Sequence, residues 1–302
     1  TLTTTSGYAI SCAMGNGVLF VVDYGSNLIC KADLLISSTC TTVASVTSPE
    51  VIALPESRDV IYVTERNQNR VRRLRLKADN TLLSLDVAVE GITNPWGLAV
   101  SRDGTVLYVG EDARAGADKI WKVMVSASGT STNKVDIATG LDRVLGLVLN
   151  RAETVLYASE YARKNIVRIE LVSGTYDKTT LVSGMERAPL GLALPAAEDR
   201  LLIASNAGYI VPLAPLPPVV YELVSGVGNA HDISLAQGDQ IAYVALGSPK
   251  KVSLVDLESK AVTTLTTTSG GAYSCAMGNG VLFVLDTGSG GRICKADLLV
   301  SS

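Results

Sequence analysis

Residues 94–125 read NPWGLAVSRDGTVLYVGEDARAGADKIWKVMV. Two apolar stretches, PWGLAV and VLYVGE, flank the polar turn SRDGT, and a Gly- and Asp-rich loop leads to an alternating stretch, IWKVMV. Short β-branched segments punctuated by Gly and Asp read as consecutive antiparallel strands.

The same unit recurs about every 40 residues. Its middle strand reappears as VLFVVD (18–23), VIYVTE (60–65), VLYASE (155–160), LLIASN (201–206), IAYVAL (241–246) and VLFVLD (281–286). Its third strand reappears as ICKADL (29–34), VRRLRL (71–76), IVRIEL (166–171), VSLVDL (252–257) and ICKADL (293–298), while YIVPLA (209–214) carries a proline. First strands follow turns in SPEVIAL (48–54) and APLGLAL (188–194); outer strands read TTVASVT (41–47), LSLDVAV (83–89) and AVTTLTT (261–267). No stretch sustains a helical period, so the pattern predicts an all-β repeat architecture.

PWGLAVSRDGTVLYVGE followed by a basic strand resembles the NHL-type propeller repeat and, more loosely, lactonase and strictosidine-synthase-like propellers. No Trp-Asp dipeptide closes a unit. The resemblance implies four-stranded blades, with site residues where loops enter the innermost strands.

The chain begins TLTTTSGYAISCAMGNGVLFVVDYGSNLICKADLLISS and ends TLTTTSGGAYSCAMGNGVLFVLDTGSGGRICKADLLVSS, matching at about 31 of 38 aligned positions. Thr1–Thr5 is an outer strand without inner partners, and residues 272–301 are three inner strands without an outer one. The expectation is therefore a single domain, residues 1–302: a seven-bladed β-propeller closed by the N-terminal strand completing the last blade. The 263-residue offset between the copies leaves a six-bladed ring plus one extra blade as the alternative. The missing initiator Met and signal peptide read as one module of a longer protein.

Apolar content of 47% with 18% charged residues predicts a folded chain. A net charge of −3 gives no pull toward nucleic acid. The longest apolar stretch, Tyr209–Tyr221, is too short to span a membrane and holds four prolines. No nucleic-acid partner and no membrane insertion are expected.

Aligning the units on VLYV places Tyr8, Glu50, Trp96, Leu145, Leu190, His231 and Gly271 together, with Asp232 next to His231. Tyr8, Glu50, Trp96, His231 and Asp232 are the candidate ligand-binding residues, an apolar mouth with a few polar groups. His231 is the only histidine, which excludes a zinc site built from several. As a general base it would need Glu50 or Asp232 to orient it. Lactonase-like propellers imply axial calcium, for which Glu50, Asn229 and Asp232 make only a partial set. Strictosidine-synthase-like enzymes imply an axial Glu, for which Glu50 is the candidate. No catalytic residue, metal or cofactor is expected.

Repetition of the acid after the middle strand (Asp23, Glu65, Glu111, Glu160, Asp286) points to scaffolding. The basic run 66–77 reads as a solvated blade edge, and the loop 110–119 as a contact loop. Five cysteines leave at least one unpaired. Cys12 and Cys30, like Cys275 and Cys294, stand one strand apart, roughly 9–10 Å against the ~7 Å that a disulfide spans. All four are expected to be buried free thiols. The sequence thus favours a non-enzymatic binding or structural propeller, extracellular or on a cell surface, engaging a protein partner or neighbouring modules, with room for a small-molecule ligand. A small-molecule hydrolase or lyase is the alternative.

Overall fold

The middle strands lose the two-residue alternation expected of a half-buried sheet. VLFVVD, VIYVTE and VLYASE are buried at every position. A strand covered on both faces needs no polar face, so its apolar run is continuous. In a computed structural model this is the consequence of sheets packed face to face. The structure describes residues 3–4, 8–15, 17–33, 40–114, 116–126, 128–172, 174–205, 208–213, 221–224, 229–235, 241–248, 250–257, 261–267, 271–278, 281–286 and 292–297.

Contacts divide the chain into two compact units. The first holds residues 1–26, 31–41 and 189–302; the second holds 27–30 and 42–188.

In the second unit, each sheet is a four-stranded antiparallel meander in sequence order. One is Pro49–Ala53, Val60–Glu65, Arg70–Leu76, Leu82–Glu90. The next is Pro95–Val100, Val106–Glu111, Asp118–Val125, Ser131–Leu141, and the third Val144–Leu149, Val155–Glu160, Asn165–Glu170, Lys178–Val182. A 3₁₀ turn, Arg66–Gln68, follows one middle strand. Between the first two sheets lie Tyr62, Val71, Ile92, Leu98, Leu107 and Val123. Between the second and third lie Ile120, Leu141, Val144, Leu156, Val167 and Ile169. Leu107 and Ile120 are fully buried, each stabilising by about 2–3 kcal/mol relative to exposure.

In the first unit, Leu192–Ala193, Arg200–Ile203, Gly208–Pro212 and Tyr221–Val224 form one sheet. Asn229–Leu235, Ile241–Ser248, Lys251–Asp256 and Val262–Thr267 form another. A third runs Ala272–Gly278, Val281–Asp286, Arg292–Asp297 and then Thr3–Thr4. That N-terminal strand pairs antiparallel, Thr3 opposite Ile293 and Thr4 opposite Arg292. Leu202, Ile233, Ala242 and Val255 fill one core; Tyr243, Val252, Ala272, Leu282 and Val284 fill another. The remaining sheet is ordered Ala9–Gly15, Val18–Asp23, Leu28–Asp33, Cys40–Ser45. Among the described residues no helix is long and apolar enough to cross a membrane.

The repeated acids are buried and brace the turns. Glu65 accepts from Thr47 N at 2.6 Å and pairs with Arg70. Glu111 accepts from Thr93 N at 3.1 Å, Lys119 N at 3.1 Å and Trp121 Nε1 at 2.9 Å. Asn69, left-handed at φ 53°, accepts from Asn94 N at 2.8 Å.

Two expectations fail here. Cys12 and Cys275 are free, but Cys30 and Cys40 are disulfide-bonded. With five cysteines, that bond joins Cys30 to Cys40, since either one bonded to Cys294 would strand the other. The separation argument compared first and third strands; Cys40 opens the outer strand, next to that of Cys30. Cys294 lies on Arg292–Asp297, and its side chain falls outside the described residues. The basic run is not simply a solvated edge either. Arg70 and Arg72 face Glu65, Arg73 is 7% exposed, and Arg66 turns toward Asp112.

Candidate binding site

One irregularity recurs in the innermost strands and decides which side chains are presented. In the second unit, pairing is interrupted between Pro49 and Ile52, between Pro95 and Leu98, and between Val144 and Leu147. Each break sets two residues against one on the middle strand, a β-bulge, which re-aims side chains. The bulged residues are Glu50 and Val51, Trp96 and Gly97, Leu145 and Gly146. Hydroxyls opposite two bulges satisfy their freed amides: Thr64 Oγ1 accepts from Val51 N at 3.0 Å, and Ser159 Oγ from Gly146 N at 2.8 Å. A Cβ on Gly97 would stand 3.1 Å from Val144 O. In the first unit the breaks fall between Ala9 and Ser11, Ala230 and Asp232, Ala272 and Ser274. They present Ile10, His231 and Tyr273.

The bulge register corrects the alignment of the end units by two residues. Ile10 and Tyr273, not Tyr8 and Gly271, occupy the position of Glu50, Trp96, Leu145 and His231. Tyr8 precedes its strand and is 37% exposed, yet it lies beside the bulge row, its ring edge-on to Tyr273 at 5.0 Å. Tyr273 stacks on His231 at 4.2 Å with 23° between planes. Desolvation and a hydrogen bond with Tyr273 hold the Tyr8 phenol above its ordinary range. Burial lowers the His231 pKa, so the ring is neutral at pH 7. The signal for Tyr273 was in the sequence: GYAIS in one copy is GGAYS in the other.

Asp232 is not aimed at His231. Its Oδ2 accepts from Ser274 Oγ at 2.7 Å and Cys275 N at 3.2 Å, and its Oδ1 from Ile233 N at 2.9 Å. Burial raises its pKa against these bonds. Ser274 spends its proton on Asp232, so the Cys12 thiol, 3.4 Å away, is the donor to Ser274 Oγ. Burial pushes Cys12 up to about 12, which keeps it a thiol.

Glu50 and Trp96 belong to a different cluster, in the second unit. Glu50 is 4% exposed and accepts no hydrogen bond among the described residues. Arg66 Nη1 is 3.8 Å from its Oε1. Burial pushes its carboxyl up to about 7, opposed by Arg66 and assisted by Asp112. Arg66 lies over Trp96, 4.9 Å from the ring centroid, and donates from Nη2 to Asp112 Oδ2 at 2.5 Å. Arg143 Nε donates to Asp112 Oδ1 at 2.8 Å and lies over Tyr161 at 4.5 Å. The loop 110–119 thus contributes a fully buried Asp112 and a buried Asp118, which accepts from Ala113 N and Arg143 N. Arg66, Asp112 and Arg143 come from turns, where no strand periodicity flags them. Among the described residues, no three His, Cys, Asp or Glu side chains gather in a metal-holding group.

No protein-family model and no curated protein matches the sequence. Solved structures do. Hydrazine synthase of Kuenenia stuttgartiensis aligns with a TM-score of 0.81 at 12% identity, over 99% of this chain and 97% of that one. Catalytically inactive virginiamycin B lyase of Staphylococcus aureus with quinupristin aligns at 0.76 and 11%, over 98% and 96%. A protein from Lactobacillus plantarum aligns at 0.68 and 17%, over 87% and 86%. At these identities the likeness is one of fold alone. The fold is an all-β propeller with four-stranded blades.

Proposed function

We propose that this chain is a non-enzymatic binding or structural propeller, an interaction module whose bulged inner strands face its ligand or partner. One observation carries the reading: the sole histidine and the aspartate beside it are committed elsewhere. His231 lies flat against Tyr273, and Asp232 is taken up by Ser274 and two backbone amides. Neither orients the other, as a working general base requires. The proposal includes a single domain, residues 1–302, of seven blades of NHL type, closed by the Thr3–Thr4 strand, acting on a protein partner or neighbouring modules. The Cys30–Cys40 disulfide supports placement outside the cytosol. A second reading, a hydrolase or lyase with Glu50 as proton carrier, is favoured by the raised pKa of that carboxyl. Incubation with a panel of lactones and cyclic depsipeptides, followed by mass spectrometry, separates the two. The binding reading expects every compound back unchanged. Turnover that disappears in Glu50→Gln or His231→Ala would refute it.

A further inference from the structure

Three guanidinium groups gather on Asp112 and exceed its single negative charge. Arg66 and Arg143 are bonded to it, and Arg114 Nε stands 3.8 Å from Oδ2. Arg66 lies over the Trp96 ring and Arg143 over that of Tyr161, which restrains both guanidinium groups. Donors remain unspent. Among the described residues, Arg66 Nε is buried without a hydrogen bond, and Arg66 Nη1 meets only Glu50, at 3.8 Å. The terminal nitrogens of Arg143 donate to no described group. The side chains of Arg66, Arg143 and Arg114 are 18%, 24% and 62% exposed, so the cluster reaches the surface.

The charges decide what fits. Three arginines balance Asp112, Asp118 and Glu50 when all three carboxyls are ionised, and leave one positive charge when Glu50 is protonated. An organic cation is repelled. A neutral amide leaves the charge unanswered. A carboxylate is planar, carries two acceptor oxygens and matches the guanidinium fork. We propose that Arg66, Arg143 and Arg114, held by Asp112 with Glu50 at their edge, bind the carboxylate group of a small organic acid. This rests on the binding reading above and names the ligand class. The charged groups around Glu50 are Arg66 and Asp112; Arg114 approaches the Asp112 oxygen that Arg66 bonds, and Arg143 bonds the other. A carboxylate therefore enters most readily with a proton on Glu50.

The test is calorimetry with sodium benzoate, benzamide and benzamidine, which share a ring and differ in the group presented, and with inorganic phosphate. Benzoate is expected to bind at least about tenfold tighter than benzamide and benzamidine, since charge-assisted hydrogen bonds are the stronger ones, and phosphate bound as tightly as benzoate would overturn the carboxylate assignment. Benzoate stays ionised from pH 6 to 8, so uptake with one proton at a group titrating near 7 predicts about tenfold tighter binding at pH 6. Glu50→Gln should bind benzoate with that pH difference gone. Arg143→Gln, and the exposed Arg114→Gln, which carries little risk to folding, should each weaken it about tenfold. Equal binding of benzoate and benzamide, or benzoate binding untouched by both arginine variants, overturns the carboxylate assignment. Benzamide bound in place of benzoate would do the same while leaving a binding mouth intact; turnover of the lactone or depsipeptide panel would instead defeat the binding reading.

Discussion

Gly110 sits where two sheets approach closely, and replacing it tests blade-to-blade packing directly. A Cβ there would stand 2.5 Å from Val144 Cγ1, 2.8 Å from Val144 Cβ and 2.9 Å from Val144 O. The first atom belongs to a short, fully buried side chain, and the last is backbone. A valine has one torsion to turn, and its backbone cannot move without shifting the bulge at Leu145 and Gly146. Overpacking of this kind costs about 1–3 kcal/mol, and the backbone contact places Gly110→Ala near the top, ~2–3 kcal/mol. For a chain of this size that is about 3–5 °C in Tm. Val144→Ala alone should cost ~2 kcal/mol for the cavity it leaves. The double variant should lose ~1–2 kcal/mol less than the sum, because the new methyl enters the vacated space while the carbonyl contact persists. Urea unfolding of the four proteins, with equal m-values, measures this. A Gly110→Ala change within ~0.5 kcal/mol, or strict additivity, would refute the packing argument.

Glu50 predicts a pH signature. Its carboxyl sits near 7 in the folded chain against an ordinary 4.5, so the folded state keeps a proton that the unfolded state releases. That stabilisation is complete below about pH 4.5 and is lost as pH rises through 7, a change of about 3 kcal/mol. Glu50→Gln should match the parent at pH 4.5 and exceed it by up to ~3 kcal/mol at pH 8; parallel stability curves would disprove it. Reducing the Cys30–Cys40 bond reopens a loop of about ten residues and should cost about 3 kcal/mol in unfolding experiments. A non-reducing peptide map should show that link, and a Cys12–Cys30 link would contradict it.

The repeat was legible because packing demands it. VLYVGE and its relatives mark middle strands by their continuous apolar runs, and the structure places strands at each described counterpart. The acids that follow them are buried, and Glu65 and Glu111 each accept from an amide in the connection that leads into their own sheet. The site was less legible for two reasons. The turn between first and middle strand is two residues shorter in the end units, where Gly15 pairs with Val18 and Gly278 with Val281, than in units where Ser101 meets Val106 and Asn150 meets Val155, so counting back from VLYV placed Tyr8 where Ile10 stands and passed over Tyr273. Arg66, Asp112 and Arg143 are brought together by turns 46 and 31 residues apart in sequence, and such contacts have no period. The Cys30–Cys40 bond escaped for a related reason: geometry was asked of strands one apart, and the partner lay on the adjacent strand.

The account depends most on the N-terminal strand completing the sheet built by the last inner strands. Thr4 and Arg292 are cross-strand partners, which places their Cα atoms about 4.5–5.5 Å apart, within reach of a disulfide. The measurement is oxidation of a Thr4→Cys, Arg292→Cys variant in a Cys294→Ser background, followed by peptide mapping. The account predicts a covalent link between positions 4 and 292, formed in monomeric protein. Thiols that stay free at both positions under oxidant, in a folded chain, would contradict it.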